Sequence, residues 1–258
     1  MNPVRSLNVK SSKKIARLNI SGKRTSNGVK TIAIITAAGK GKRMGSGIKK
    51  PYIILGGKPL LAHAVLPFEQ SNTINSIIIL TAKGDEDFCL KKVVKRFGFK
   101  KVIKVIHGGK ERQDSVMSGI MAAGNGWDMV VVHDGVRPFV TKEIIEKIVK
   151  SAGRYGAAIL AAPVKDTIKR ASSGFVKKTI KRDELWAVQT PQAFRFAMLK
   201  RAHELAKRQG FIGTDDSILV ERLGCPVAMV NGLYDNIKIT TPEDLAVGKA
   251  ILKSKKTG

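Results

Sequence analysis

The chain reads as an α/β protein: a mainly parallel, twisted sheet with helices on both faces and a β-arm that protrudes from it. Three observations predict this. Short apolar, β-branched runs alternate with helical periods from Thr31 onward, as βα units around a parallel sheet do. The runs, such as Ile32-Ala33-Ile34-Ile35 and Val130-Val131-Val132, are apolar at every position, so they fit strands covered on both sides. The alternation then breaks at 166–183, where DTIKRASSGFVKKTIKRD is polar, alternating and centred on Ser172-Ser173-Gly174. That stretch reads as a hairpin standing away from the sheet.

Residues 1–28 are Ser-rich, basic and free of acids. They lack the apolar core of a secretory signal. Three uses fit them: a transit segment, an arm with weak anion or nucleic-acid affinity, or a disordered extension. So little apolar surface favours disorder. Residues 29–258 form one domain with the arm inserted at 166–183. Strand 31–36 opens it. A loop follows that holds Gly39, Gly41, Gly45 and Gly47 with Lys40, Lys42, Arg43, Lys49 and Lys50 and no carboxylate. Helix 60–70, strand 76–81, helix 85–97, strand 101–106, helix 111–123 and strand 129–133 come next. Helix 141–152 has Thr141 as its cap and Glu143 in its first turn, and strand 157–161 completes this half. Beyond the arm lie strand 186–189, helix 194–208, helix 215–223 capped by Thr214, strand 227–231 and segment 236–240. The last helix starts at Thr241-Pro242-Glu243-Asp244, with a capping threonine, proline at the first position and acids in the first turn.

Forty-seven Lys and Arg against 20 Asp and Glu give a net charge of +27. The first acid is Glu69, and residues 1–68 carry 14 of the cations. Such a balance favours anionic partners, whether nucleotides, sugar phosphates, nucleic acid or a membrane surface. Aromatics are only 5%, which speaks against a base-stacking surface. No apolar run reaches the roughly 18 residues of a membrane span. Cys89 and Cys225 are far apart in apolar contexts and read as reduced core thiols of a reducing compartment. The expected location is the cytoplasm; a tail acting as a transit segment would place the protein in a plastid-type organelle.

A strand, then small residues, glycines and cations, describes a loop that wraps a polyphosphate: backbone N–H groups approach the anion and the cations neutralise it. The loop is not a Walker A loop, and its third glycine falls one residue late for a dinucleotide fingerprint. Asp134 ends a strand buried on both faces, where a carboxylate serves as a turn cap or as a metal ligand. No Ser-His-Asp or Cys-His arrangement is evident. His63, His107 and His203 show no zinc spacing, and His133 reads as a packed strand-end residue.

A series of motifs runs from about residue 32 to about residue 252. They begin with Ala37-Ala38-Gly39-Lys40-Gly41-Lys42-Arg43-Met44, Gly108-Gly109-Lys110-Glu111-Arg112-Gln113-Asp114-Ser115-Val116 and Val132-His133-Asp134-Gly135-Val136-Arg137-Pro138-Phe139. They continue with Ala162-Pro163-Val164-Lys165-Asp166-Thr167-Ile168-Lys169, Thr190-Pro191-Gln192, Thr214-Asp215-Asp216 and Asp235-Asn236-Ile237-Lys238-Ile239-Thr240. Together these motifs resemble the 2-C-methyl-D-erythritol 4-phosphate cytidylyltransferase family of the non-mevalonate isoprenoid pathway, and the resemblance implies a nucleotide-diphospho-sugar transferase-like, Rossmann-like fold. It also implies an enzyme that joins CTP to methylerythritol phosphate, releasing pyrophosphate.

By position, Arg43, Lys50, Arg182 and Lys238 would be the catalytic cations. Ala37, Ala38, Gly39, Gly41, Gly109 and Ser115 would bind CTP. Arg137, Thr167, Thr190 and Thr214 would line the second substrate's pocket, and Asp134 with Asp235 would hold Mg²⁺ or another divalent cation. The resemblance further implies a homodimer in which the arm, with Thr167 and Arg182, serves the partner's site. The chain departs from the family where Lys49-Lys50-Pro51-Tyr52 puts proline after the lysine, which draws Lys50 toward extended geometry. It departs again at Lys110, where an acid is frequent, and at Val136, where alanine is common. Two other readings are a ribitol 5-phosphate cytidylyltransferase and a basic nucleic-acid-binding protein on an inactive nucleotidyltransferase fold.

Overall fold

A computed structural model describes residues 28–39 and 49–257. The tail through residue 27 and loop residues 40–48, with Gly41 and Arg43, lie outside the described residues.

β1 (Thr31–Ala37) is an interior strand of the large sheet. After the loop, a 3₁₀ turn at Lys50–Tyr52 leads into the small hairpin of β2 (Ile54–Leu55) and β3 (Lys58–Pro59). Then come α1 (Leu60–Gln70), β4 (Ser76–Thr81) and α2 (Glu86–Cys89), which runs on as a π-helical segment, Leu90–Lys95. β5 (Val102–His107), α3 (Arg112–Ala123), β6 (Met129–Asp134), α4 (Lys142–Tyr155) and β7 (Ala157–Pro163) follow. The arm is β8 (Ile168–Ser172) and β9 (Phe175–Ile180). β10 (Trp186–Arg195), α5 (Phe196–Arg208), α6 (Ser217–Glu221), β11 (Ala228–Asn231) and α7 (Pro242–Thr257) finish the chain.

The large sheet has seven strands in the order β11-β7-β10-β6-β1-β4-β5. Every pairing is parallel except those of β10, which runs against both neighbours. The expectation of a mainly parallel sheet holds for a physical reason. Alternate residues of β1 enter opposite cores: Ala33 and Ile35 pack toward α1 and α4, and Ile32 and Ile34 toward α3 and α5. A strand buried on both faces needs helices on both faces.

β10 corrects one boundary. The expected strand ends at Gln189, with a helix expected from Phe194. The strand instead continues to Arg195, and its register shifts between Gln189 and Gln192. The irregularity takes Thr190 and Pro191 out of the regular pairing, and the ladder resumes beyond them. The α6 boundary also changes. The helix is shorter than expected, and Asp215 rather than Thr214 caps it: its Oδ1 accepts from Ile218 N at 3.2 Å. At α7 the expected start stands, with Asp244 N donating to Thr241 Oγ1 and Asp244 Oδ2 accepting from Thr241 N.

The arm pairs with itself alone and turns through Ser173 and Gly174, both at positive φ. Positive φ at both central residues matches the twist of a tight hairpin. Phe175 and Val176 on it are 73% and 63% exposed. Cys89 and Cys225 are both free thiols. Among the described residues no helix is long and apolar enough to cross a membrane.

Candidate active site

The carboxyl ends of β1, β4, β5 and β6 open onto one cleft of about 800 Å³. This is where parallel sheets bind ligands, at the point where successive connections leave to opposite sides. β4 and β5 lie on one side of β1 and β6 on the other. Ala37, Ala38 and Gly39 carry β1 into the cleft wall, and the loop after β5 supplies Gly108, Gly109 and the N-terminus of α3.

That loop can close tightly only because it is glycine. A Cβ on Gly109 would stand 2.3 Å from Asp114 Cβ, and one on Gly108 would stand 2.5 Å from Ser115 Oγ. Ser115 is 3% exposed; its Oγ accepts from Gly109 N at 3.0 Å and donates to Glu111 O at 3.0 Å. Ser115 therefore shapes the loop as well as lining the cleft.

Two adjacent lysines, Lys49 and Lys50, part company in the fold. Lys49 pairs with Asp85, while Lys50 lines the cleft. The assignment of the cleft cation to Lys50 is thus the one the geometry supports. The extended backbone expected at Lys50 falls one residue earlier: Lys49 has φ −63° and ψ 132°, and Lys50 begins the 3₁₀ turn. Its carbonyl accepts from Ile53 N at 3.2 Å.

Asp134 is the centre of the floor. Only 5% exposed, it meets three cations. Lys238 Nζ is 2.9 Å from Oδ2, Arg112 Nε 3.3 Å from Oδ1 and Arg137 Nε 3.5 Å from Oδ2. Burial pushes the Asp134 carboxyl up, but Arg112, Lys238 and Arg137 outweigh it and hold the group well below the usual carboxylate range. Burial likewise opposes the charge on Arg112, and Asp216 with Asp134 more than restores it. Two carboxylates, Asp134 and Asp216, against Arg112, Arg137 and Lys238 leave the cluster positive, as suits a site for a polyphosphate.

The backbone of Asp134 is fixed separately. Its N–H donates to Thr190 Oγ1 at 3.0 Å, and that hydroxyl lies 3.0 Å from His133 Nδ1. His133 Nε2 lies 3.1 Å from Arg137 O. With the Asp134 N–H donating to it, the Thr190 hydroxyl gives its own proton to Nδ1, so Nε2 carries the proton that Arg137 O accepts. Burial holds the His133 imidazole down, to about 4.

The chain matches the family model described as IspD, 2-C-methyl-D-erythritol 4-phosphate cytidylyltransferase, over residues 31–254. The enzyme of that name from Alkaliphilus metalliredigens is 49% identical over 230 residues, covering 89% of this chain and 95% of the relative. That from Geotalea uraniireducens is 47% identical over 228 residues, covering 88% and 98%. Among solved structures, the 4-diphosphocytidyl-2C-methyl-D-erythritol synthase of Anaerococcus prevotii superposes with a TM-score of 0.78 at 34% identity, covering 87% of this chain and 96% of that one. The chain belongs to this family.

Membership makes the placement of each family-implied residue informative. Ala37, Ala38, Gly39, Lys50, Gly109, Ser115, Asp134 and Lys238 come together at the cleft. Arg137 lies beneath it; besides Asp134 it reaches Asn236 O at 2.8 Å. Thr190 is 5% exposed and holds Asp134 in place rather than lining a pocket. Thr214 and Asp235 are exposed and do not line the cleft. Thr167 and Arg182 sit at the exposed base of the arm, away from this chain's own cleft, with Arg182 Nη1 bound to Lys165 O.

Sequence reasoning passed over Arg112, Asp216 and His203 as site residues. Arg112 Nη1 donates to Asp216 Oδ2 at 2.7 Å, and His203 Nε2 lies 3.2 Å from Asp216 Oδ1. One signal was available. A chain with so few acids places two of them side by side at Asp215 and Asp216, and Asp216 is 1% exposed. A buried carboxylate requires cationic or hydrogen-bonding partners.

Among the described residues no three carboxylates, histidines or cysteines cluster as a metal cage. The donors present fit a different kind of site. Mg²⁺ is commonly held by one or two carboxylates plus substrate phosphates and water, and Asp134 supplies one hard anionic oxygen donor at the cleft.

Proposed function

We infer that the cleft transfers CMP from CTP to 2-C-methyl-D-erythritol 4-phosphate, giving 4-diphosphocytidyl-2-C-methyl-D-erythritol and pyrophosphate. The observation that carries the reading is the convergence of Asp134, Lys238, Arg112 and Lys50 with the glycine-built loops at the strand ends. An ordinary transferase of acyl groups would need a nucleophile and a base. This reaction needs neither from the protein. A phosphate monoester has its second pKa near 6, so it is already an anionic nucleophile at neutral pH.

An oxygen of the substrate phosphate bonds to the α-phosphorus of CTP as the bond to the bridging oxygen breaks. The electron pair leaves with pyrophosphate. The protein must hold two anions in line and stabilise charge that builds on the phosphoryl oxygens. Lys50 approaches from the side of the glycine loop. Lys238, 42% exposed at its side chain, is able to leave Asp134 for an incoming phosphate. Asp134 would hold Mg²⁺, which supplies neutralisation of the triphosphate and of the leaving pyrophosphate.

The second substrate's pocket is completed by a partner subunit. Arg182 and Thr167 sit at the base of an arm whose strands pair only with each other and which exposes Phe175 and Val176. An isolated two-stranded hairpin is marginal in water, so a second copy that covers these residues supports the arm. It would also receive Arg182 and Thr167 at its cleft.

The test is pyrophosphate release from CTP and Mg²⁺ with methylerythritol phosphate and with ribitol 5-phosphate in parallel. Turnover with the first and little with the second is expected. Turnover with ribitol 5-phosphate alone would overturn the substrate assignment, and no turnover with either would overturn the activity.

A further inference from the structure

Arg112 joins two buried carboxylates. Its Nε faces Asp134 Oδ1 at 3.3 Å and its Nη1 faces Asp216 Oδ2 at 2.7 Å. Asp216 uses its other oxygen, Oδ1, on His203 Nε2 at 3.2 Å. The chain His203–Asp216–Arg112–Asp134 thus runs from α5, through the turn before α6 and the first turn of α3, to the end of β6. Asp216 and His203 are 1% and 2% exposed and do not line the cleft, whereas Arg112 and Asp134 do.

We propose that Asp216 and His203 are positioning residues for the triphosphate end of the cleft: they fix Arg112 and, through it, the carboxylate of Asp134. This rests on the reading of the cleft as a CTP site. A guanidinium is planar, with its donors in a rigid fork. Pinning Nη1 to Asp216 therefore sets the direction of Nε and of Nη2 together. Nη2 is buried and has no partner among the described residues, so Asp216 is the second anchor that stops the guanidinium from turning about Asp134. Asp216 in turn keeps a single orientation because each oxygen has its own donor. Without the His203 N–H, Oδ1 would be a buried anionic oxygen with no donor from that side. A plain ion pair fastening α6 to α3 would need neither a ligating role for the far end of Arg112 nor the third member on α5.

The test is calorimetric titration of the intact protein with CTP and Mg²⁺, and separately with CTP alone, beside KM values for both substrates. His203→Leu and Asp216→Asn are each expected to weaken CTP binding about tenfold while the KM for methylerythritol phosphate stays within about twofold. In the background of Arg112→Ala the same substitutions are expected to add nothing, because residues acting through one group are not additive. His203→Gln, which keeps an N–H donor, is expected to recover most of the affinity, and it carries the cycle if His203→Leu does not fold. Wild-type CTP affinity in a folded His203→Leu protein, or losses that add in full to Arg112→Ala, would overturn the proposal. Failure of the wild-type chain to bind CTP would instead overturn the functional reading beneath it.

Discussion

The floor of the cleft and the β-arm are built by opposite means. At the floor, Asp134 is fixed at its backbone by Thr190 and at its carboxylate by Lys238, Arg112 and Arg137. Asp134 and Thr190 are buried, and each of these groups is tied to another. The arm has only its own ladder, and its residues are exposed almost throughout. A region that is over-determined within one chain can hold charges at fixed distances, which electrostatic stabilisation of a transition state demands. A region that is under-determined is set by whatever it docks against. The contrast sorts the described residues of the site: those of the floor are fixed within one protomer, whereas the arm, under the dimer proposed above, is completed by a second copy.

Breaking the floor should have the largest effect. Lys238→Ala removes a cation in contact with the central carboxylate and is expected to lower kcat/KM about 10³-fold, measured as pyrophosphate release, with the thermal midpoint little changed. A loss below tenfold would mean that Lys238 is only a counterion of Asp134.

A pH experiment sharpens the same side. His133 is held at about 4 by burial, against about 6.5 for a free imidazole. Between those values the unfolded chain binds a proton that the folded chain does not. Stability therefore falls as pH drops through the window, by roughly 3 kcal/mol in all. His133→Gln should flatten that slope in urea melts taken between pH 7 and pH 4; an unchanged slope would contradict the assignment. Asp134, whose carboxyl is held low, adds a further loss as pH falls through the ordinary carboxylate range, where the unfolded chain takes up a proton that the folded chain does not.

A smaller effect is expected from Thr190→Val. It leaves the Asp134 N–H and His133 Nδ1 without their buried partner and should cost about 2 kcal/mol of stability by denaturant unfolding. Lowered kcat/KM should accompany it if Thr190 positions Asp134, while a pocket-lining threonine would change KM for the second substrate alone. The smallest effect belongs to the region outside both. Deleting residues 1–27 should leave kcat within about twofold, because nothing in the tail's composition supports a fold of its own.

Much of this was legible from residues. The apolar runs placed the strands, and β4 and α1 fall where their patterns put them. The adjoining motifs located the cleft before any coordinates. The reading missed beside two prolines. The strand read as ending at Gln189 runs on past Pro191, because a sequence does not display the register shift that lets a ladder pass it. Pro51 looked like a restraint on Lys50, but the extended residue is Lys49.

Hydroxyls were harder still. Thr190, Thr214 and Thr167 read alike in sequence, yet the first is a buried brace for Asp134, the second is exposed beside the true cap Asp215, and the third stands on the arm. The contact between Arg112 and Asp216 spans 104 positions. Only the docking of the segment before α6 on the start of α3 reveals it, since no local periodicity encodes a pairing at that range.

The central claim is that one chain's floor works with the other chain's arm. The most direct measurement mixes two variants, Lys238→Ala and Arg182→Ala, each expected to be nearly inactive alone. If the arm reaches across, a mixed dimer keeps one site with an intact floor and an intact arm, so equal mixing should restore about a quarter of wild-type pyrophosphate release. If each arm serves its own floor, every site carries one defect and mixing restores nothing, which would contradict the account.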